Sequence, residues 1–243
     1  MTGTQALRLT RPARQALAEF FGSAGLVTVV IGSGIAASRL SPDDVGLQLL
    51  ENALATGAGL VALILAFGPV SGGHFNPVVT LADRFLGGLT DRQVAVYLPA
   101  QLAGGVLGAV VANLMFELPA VSVATTERTG VGQWLSEAVA TFGLVVLVFA
   151  LARAGRAAAA PFAVGAYIAA AYWWSSSTSF ANPMVDVARM LSDTFAGIAP
   201  SSVPMFLLAQ LVGGGAGVAV VALLYPGVQS TAGDVVVPEE AAP

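Results

Sequence analysis

Two asparagine–proline pairs, Asn76-Pro77 in "HFNPVVTLADRF" and Asn182-Pro183 in "FANPMVDVARML", carry the clearest chemical signal in this chain. Asparagine is a favoured helix N-cap, and proline suits the first helical turn, where its missing N–H is no loss. Each pair therefore predicts a helix start whose dipole presents a partial positive charge, with the Asn76 or Asn182 amide beside it as an N–H donor. Such a centre repels cations and hydronium but can hold and orient a neutral hydrogen-bonding solute. The stretches just upstream, "SGGHF" and "SSTSFA", are small, polar or glycine-rich and can run extended. Backbone of that kind survives at membrane depth only where it is packed in protein or lines water. It offers a ladder of carbonyl oxygens from Gly72, Gly73, His74 and Phe75, and from Ser177, Thr178 and Phe180.

Few other residues could do chemistry. Glu19 and Glu137 fall in apolar surroundings at matching places in the two halves. An intramembrane carboxylate is by default functional, so a proton relay is one reading and a paired structural role in a duplicated scaffold is the other. His74 is the single histidine and there is no cysteine, which excludes thiolate and multi-histidine metal sites. No metal, no cofactor and no enzymatic activity are expected. His74 could sense pH or simply hold its loop.

These groups must be positioned by a membrane fold. The 243 residues are 56% hydrophobic and 10% charged, against roughly 25% charge in an average soluble domain. Apolar runs long enough to cross about 30 Å of hydrocarbon lie at roughly 16–38, 47–68, 93–116, 132–152, 159–175 and 204–225. The two Asn-Pro segments fall between the second and third runs and between the fifth and sixth. Each continues for about ten moderately apolar residues, too short to cross, and so predicts a half-helix. "AQLAGGVLGAVVANLMF" and "AQLVGGGAGVAVVALLY" share glycines in register, as Gly104, Gly105 and Gly108 against Gly213, Gly214 and Gly217. "AEFFGSAGLVTVV" parallels "SEAVATFGLVVLV". Three spans per copy is an odd number, so the copies enter the membrane from opposite faces, an inverted repeat. The expected fold is all-α: six transmembrane helices plus two re-entrant half-helices.

The expected organisation is a cytoplasmic N-terminal segment at 1–15 with no signal-peptide cleavage pattern, a channel domain at 16–226 and a disordered acidic tail at 227–243. The repeat halves of that domain run over about 16–116 and 132–226. With the N-terminus cytoplasmic, Arg8, Arg11, Arg14, Arg84, Arg92, Arg153 and Arg156 lie inside and Arg39, Arg128 and Arg189 outside, which obeys the positive-inside rule. Both termini are then cytoplasmic. No basic cluster is dense enough for nucleic acid.

With "AEFFG", "SGGHFNPVVT", "AQLAGG", "SEAVATFG" and "TSFANPMV" in place, the sequence resembles the aquaporin, or major intrinsic protein, superfamily over nearly its whole length. The resemblance implies a passive pore through each protomer of a homotetramer in the lipid bilayer of a cell membrane, conducting small neutral solutes. It implies signature triplets Asn76-Pro77-Val78 and Asn182-Pro183-Met184, with Val78 and Met184 in place of the usual alanines. It also implies that Glu19 and Glu137 accept hydrogen bonds from the re-entrant loops.

The departure lies at the outer constriction. The family places an arginine after the second triplet, where this chain has Val185. Counting along the motifs gives a filter of Thr56, Ala170, Ser179 and Val185, small and uncharged, with the usual aromatic also missing. A wide filter of this kind is expected to pass water, glycerol-like polyols, urea, and arsenite or related metalloid and organoarsenical species. Arg189 lies one turn beyond Val185 on the same helix face as a possible vestibule charge, with Asp186 spaced to pair with it. The alternatives are a secondary transporter coupled to an ion or proton gradient, and a strictly water-selective pore.

Overall fold

The computed structural model describes residues 9–226, so the acidic tail and residues 1–8 lie outside the described residues. The first element, α1 (Arg11–Leu40), starts before residue 15 because Thr10 is extended and Pro12 sits in the first turn. It is followed by α2 (Val45–Ser71), α3 (Pro77–Leu86), α4 (Asp91–Met115), α5 (Val131–Arg153), α6 (Ala160–Trp174), α7 (Pro183–Arg189) and α8 (Val203–Leu224). A 3-10 turn over Ala157–Ala159 leads into α6. No strand occurs among the described residues.

Five of these helices, α1, α2, α4, α5 and α8, are long and apolar enough to cross a membrane. The sixth expected span, α6, has only 15 residues, about 23 Å at the α-helical rise. It stops at Trp174 because Ser175 is extended, and the chain then turns into the irregular stretch before Asn182.

The two half-helices are short for local reasons. Each asparagine side chain accepts from the N–H two residues on, Val78 in one case and Met184 in the other, and each proline occupies the first turn. Gly87, left-handed at φ 93°, ends α3. Irregular backbone leads into both helices, and it repeats. Gly72, Gly73 and Phe75 have positive φ, and so do Thr178, Ser179 and Ala181 at the equivalent places before Asn182. In the second copy no glycine eases this conformation, which is uncommon for other residues.

The repeat also governs packing. A Cβ on Gly104 would strike the Phe20 carbonyl of α1, and a Cβ on Gly213 would strike the equivalent Ala138 carbonyl of α5. The α1–α4 and α5–α8 pairs thus approach closely, as small residues allow in membranes. Where α2 crosses α6, Gly57 and Gly165 face one another: a Cβ on either would lie within 2.8 Å of the other's carbonyl oxygen. These crossings enclose the central cavity.

Candidate functional site

The cavity is lined by four-residue steps along the helices. Thr56, Leu60 and Ile64 come from α2, Val164, Ile168 and Tyr172 from α6, Leu26 and Val30 from α1, and Leu144 and Val148 from α5. Every fourth residue on a helix shares a face, so these are continuous stripes. The α2 and α6 stripes run in opposite senses, which brings Thr56, at the start of one, within 3.2 Å of the Tyr172 hydroxyl at the end of the other. The wall is completed by Gly73 to Asn76, Ser179 to Asn182, Val79, Val185 and Arg189. The cavity volume is about 60 Å³, several times the ~10–15 Å³ that one water needs, so it accommodates a short file of small molecules.

Both asparagines stand in this wall, and each is locked to the other's loop. Asn76 Nδ2 donates to Ala181 O at 2.7 Å, and Asn182 Nδ2 donates to Phe75 O at 2.8 Å. Their Oδ1 atoms accept from Val78 N and Met184 N. Each amide is therefore fixed in rotation, with its second N–H left over for whatever occupies the cavity.

Glu19 and Glu137 hold the loops that carry these asparagines. Glu19 accepts from His74 N at 3.1 Å, Phe75 N at 2.8 Å, Ser71 Oγ at 2.6 Å and Gln101 Nε2 at 2.7 Å. Glu137 accepts from Phe180 N at 2.9 Å, Ala181 N at 2.8 Å and Gln210 Nε2 at 2.6 Å. Neither carboxylate lines the cavity. They bind the backbone at the positive-φ residues, where charge-assisted bonds can offset the conformational cost.

Of the seven residues expected to offer carbonyls, four line the cavity. Gly73, His74, Phe75 and Phe180 line the cavity, whereas Gly72, Ser177 and Thr178 do not. Gly72 caps α2, Thr178 N turns back to Ser175 O, and Ser177 Oγ is occupied by Ser179 N. His74 is buried, with Nδ1 3.1 Å from Thr80 Oγ1 and Nε2 3.6 Å from Asp83 Oδ2.

The cavity wall differs from the expected filter composition at one position and in character. Thr56, Ser179 and Val185 are all in the wall, but Ala170 is exposed on the outside of α6. Two residues along a helix turn it by roughly 200°, so Ala170 faces away from the stripe of Ile168 and Tyr172. Tyr172 supplies an aromatic ring and a hydroxyl where a methyl group was expected. Arg189 also lines the cavity and is 2% exposed. Its guanidinium carbon lies 3.5 Å from the Phe180 ring centroid, and its Nε donates to Ala196 O. The wall is therefore neither uncharged nor without an aromatic group. The expected Asp186–Arg189 ion pair is not formed: both Asp186 carboxylate oxygens are without a hydrogen-bond partner among the described residues.

A strap at 116–130 closes over this end, with Ser122 N and Ala124 N donating to Leu191 O and Met190 O. Arg128 in the strap lies 5.2 Å from the Phe180 centroid and donates to Gly197 O and Phe195 O. Burial lowers its pKa from the ordinary guanidinium value. Val78 and Met184, the bulky members of the triplets, are buried at 3% and 0% exposure, each against a glycine of the other half.

Comparison with known proteins agrees with this architecture. The family model for the major intrinsic protein matches residues 6–181. The chain is 50% identical over 200 residues to an aquaglyceroporin, AqpS, of Rhizobium meliloti (strain 1021), covering 82% of this chain and 85% of that one. It is 30% identical over 210 residues to the probable aquaporin TIP2-2 of Oryza sativa subsp. japonica, with 82% of each covered. Against a glycerol uptake facilitator protein of Streptococcus pneumoniae it is 32% identical over 165 residues, covering 62% of this chain and 70% of that one. The solved aquaglyceroporin of Plasmodium falciparum superposes with a TM-score of 0.67 over 91% of this chain and 98% of that one, at 17% identity, which speaks to the fold alone. Family match, relatives and helical architecture agree, and the chain belongs to the major intrinsic protein family.

Proposed function

We propose that this chain is a passive channel for water and small neutral polyols such as glycerol, with arsenite and similar neutral trihydroxides as further solutes. The observation that carries the reading is that one cavity wall includes His74, both locked asparagines and Arg189. Apolar stripes line the wall on α1, α2, α5 and α6, and donors are concentrated at the half-helix tips and at the Thr56–Tyr172–Arg189 end. An amphipathic solute can turn its C–H groups to the stripes and its oxygens to the donors. Positive helix ends at mid-depth disfavour cations.

The filter roles of Thr56, Tyr172, Ser179 and Val185, and the loop-supporting roles of Glu19 and Glu137, belong to this reading. So do a homotetramer, a cell-membrane location and cytoplasmic termini, which place the Arg189 end outside. A coupled transporter needs an ionisable group that binds and releases its ion at the solute site; the cavity wall contains no carboxylate, and the ring nitrogens of His74 are turned to Thr80 and Asp83.

The test is solute flux by light scattering in proteoliposomes for water, glycerol, urea and arsenite. The channel reading requires non-saturating glycerol flux above empty liposomes. Flux no greater than in empty liposomes, or flux driven by an imposed proton gradient, overturns it.

A further inference from the structure

The least explained group in the cavity wall is Arg189. The position directly after the second triplet holds Val185, so no cation stands there. Four residues on, and on the same helix face, Arg189 stacks on Phe180 and donates through Nε to Ala196 O. The stack and the bond together fix the plane of the guanidinium. Its two terminal amino groups have no acceptor among the described residues, although the residue is 2% exposed. Arg128, by contrast, donates through both Nε and one terminal amino group, to Gly197 O and Phe195 O, and does not line the cavity. Asp186 makes no hydrogen bond to Arg189 and lies outside the wall, so its carboxylate acts on the guanidinium only through space and leaves the donors free.

The terminal nitrogens are not enclosed by protein and so open onto the cavity that Arg189 lines. In a passage open to water, the occupant can supply the missing acceptors. We propose that Arg189 is the specificity-determining cation of this pore, acting from one helical turn beyond the position Val185 occupies. It bars cations at its end of the cavity and offers paired N–H donors to a solute. The Thr56–Tyr172 hydroxyl pair and Ser179 stand in the same wall. The solute class that fits is a neutral molecule with two or more oxygens on one edge, a polyol or a metalloid hydroxide, in preference to urea with its single acceptor. This inference rests on the channel reading.

The experiment separates the two. Glycerol flux through full-length wild type in proteoliposomes tests the channel itself. Wild type, Arg189→Met and Arg189→Lys are then compared for potassium conductance under an imposed potential and for the glycerol-to-urea flux ratio. Loss of a unit charge from a low-dielectric passage predicts at least a roughly tenfold rise in potassium conductance for Arg189→Met, with a fall in the flux ratio. Arg189→Lys keeps potassium exclusion while losing the planar donor pair. The proposal is overturned if Arg189→Met matches wild type in both readouts, if wild type itself conducts potassium, or if the lysine variant leaks as the methionine variant does. That last result would assign Arg189 to packing on Phe180. If Arg189→Met does not assemble, the lysine variant decides alone: potassium exclusion with a lowered glycerol-to-urea flux ratio supports the proposal, and a leak or an unchanged ratio overturns it.

Discussion

Met184 Sδ fills the space that a Cβ on Gly105 would need, so the tip of one half-helix is seated in a gap left by the opposite half of the repeat. Val78 is seated in the same way against Gly214. The two bulky replacements are thus absorbed by packing without forcing the asparagines apart, whose crossed bonds remain 2.7 and 2.8 Å long. Gly105→Ala is expected to lower stability in detergent by about 1–3 kcal/mol through overpacking. Adding Met184→Ala should recover much of that loss, since contacting residues couple. Additive losses in thermal unfolding of the single and double variants would show that the contact is not the cause.

Glu137 accepts from Phe180 N and Ala181 N through its two separate oxygens, and from Gln210 as well. A glutamine there can offer only one oxygen, and its amino group would face an N–H donor. Glu137→Gln is expected to destabilise the protein by about 1.5–3 kcal/mol for each charge-assisted bond lost and to abolish glycerol flux. Thermal unfolding and flux measured on the same preparation test this. A proton relay predicts the opposite pattern, with a stable protein that still passes glycerol.

Much of this architecture is legible in the sequence, because span length, Asn-Pro caps and paired glutamates are set by local chemistry and by the repeat. Legibility fails where a side chain's direction depends on neighbours distant in sequence. The spacing from Val185 puts Arg189 on the cavity side of its helix, but the contacts with Ala196 O and Phe180 that fix its guanidinium depend on how the irregular segments on either side of α7 fold back. Counting from the motifs leads to Ala170 for the filter, whereas the four-residue step from Val164 through Ile168 leads to Tyr172. That step was the available signal.

The contrast yields a prediction on α6. Ala170→Leu should leave the glycerol-to-water flux ratio unchanged, because the side chain is exposed on the outside of the helix. Tyr172→Ala should admit urea and larger polyols, since it removes a ring and the hydroxyl 3.2 Å from Thr56. A shift in the ratio for the first variant and none for the second would restore the original assignment. Flux measured over a series of polyols of increasing size checks both.

Val185 is 4% exposed in the cavity wall, and its counterpart after the first triplet, Val79, is equally buried there. Introducing arginine at 185 would place two guanidinium groups one helical turn apart. At about 6 Å and an effective dielectric near 20, their repulsion is about 3 kcal/mol. Val185→Arg is therefore expected to lower the unfolding temperature and to narrow the passage, so that glycerol flux falls much more than water flux. The double variant V185R/R189V keeps one cation in the wall, with Arg128 of the strap unchanged, and removes the repulsion between adjacent turns. It should regain stability while remaining narrow, because the guanidinium then stands beside Ser179 and Asn182 and no longer stacks on Phe180. Equal glycerol and water losses in the single variant would show that the side chain at 185 does not reach the solute path, and that the charge at this end cannot be moved from one position to the other.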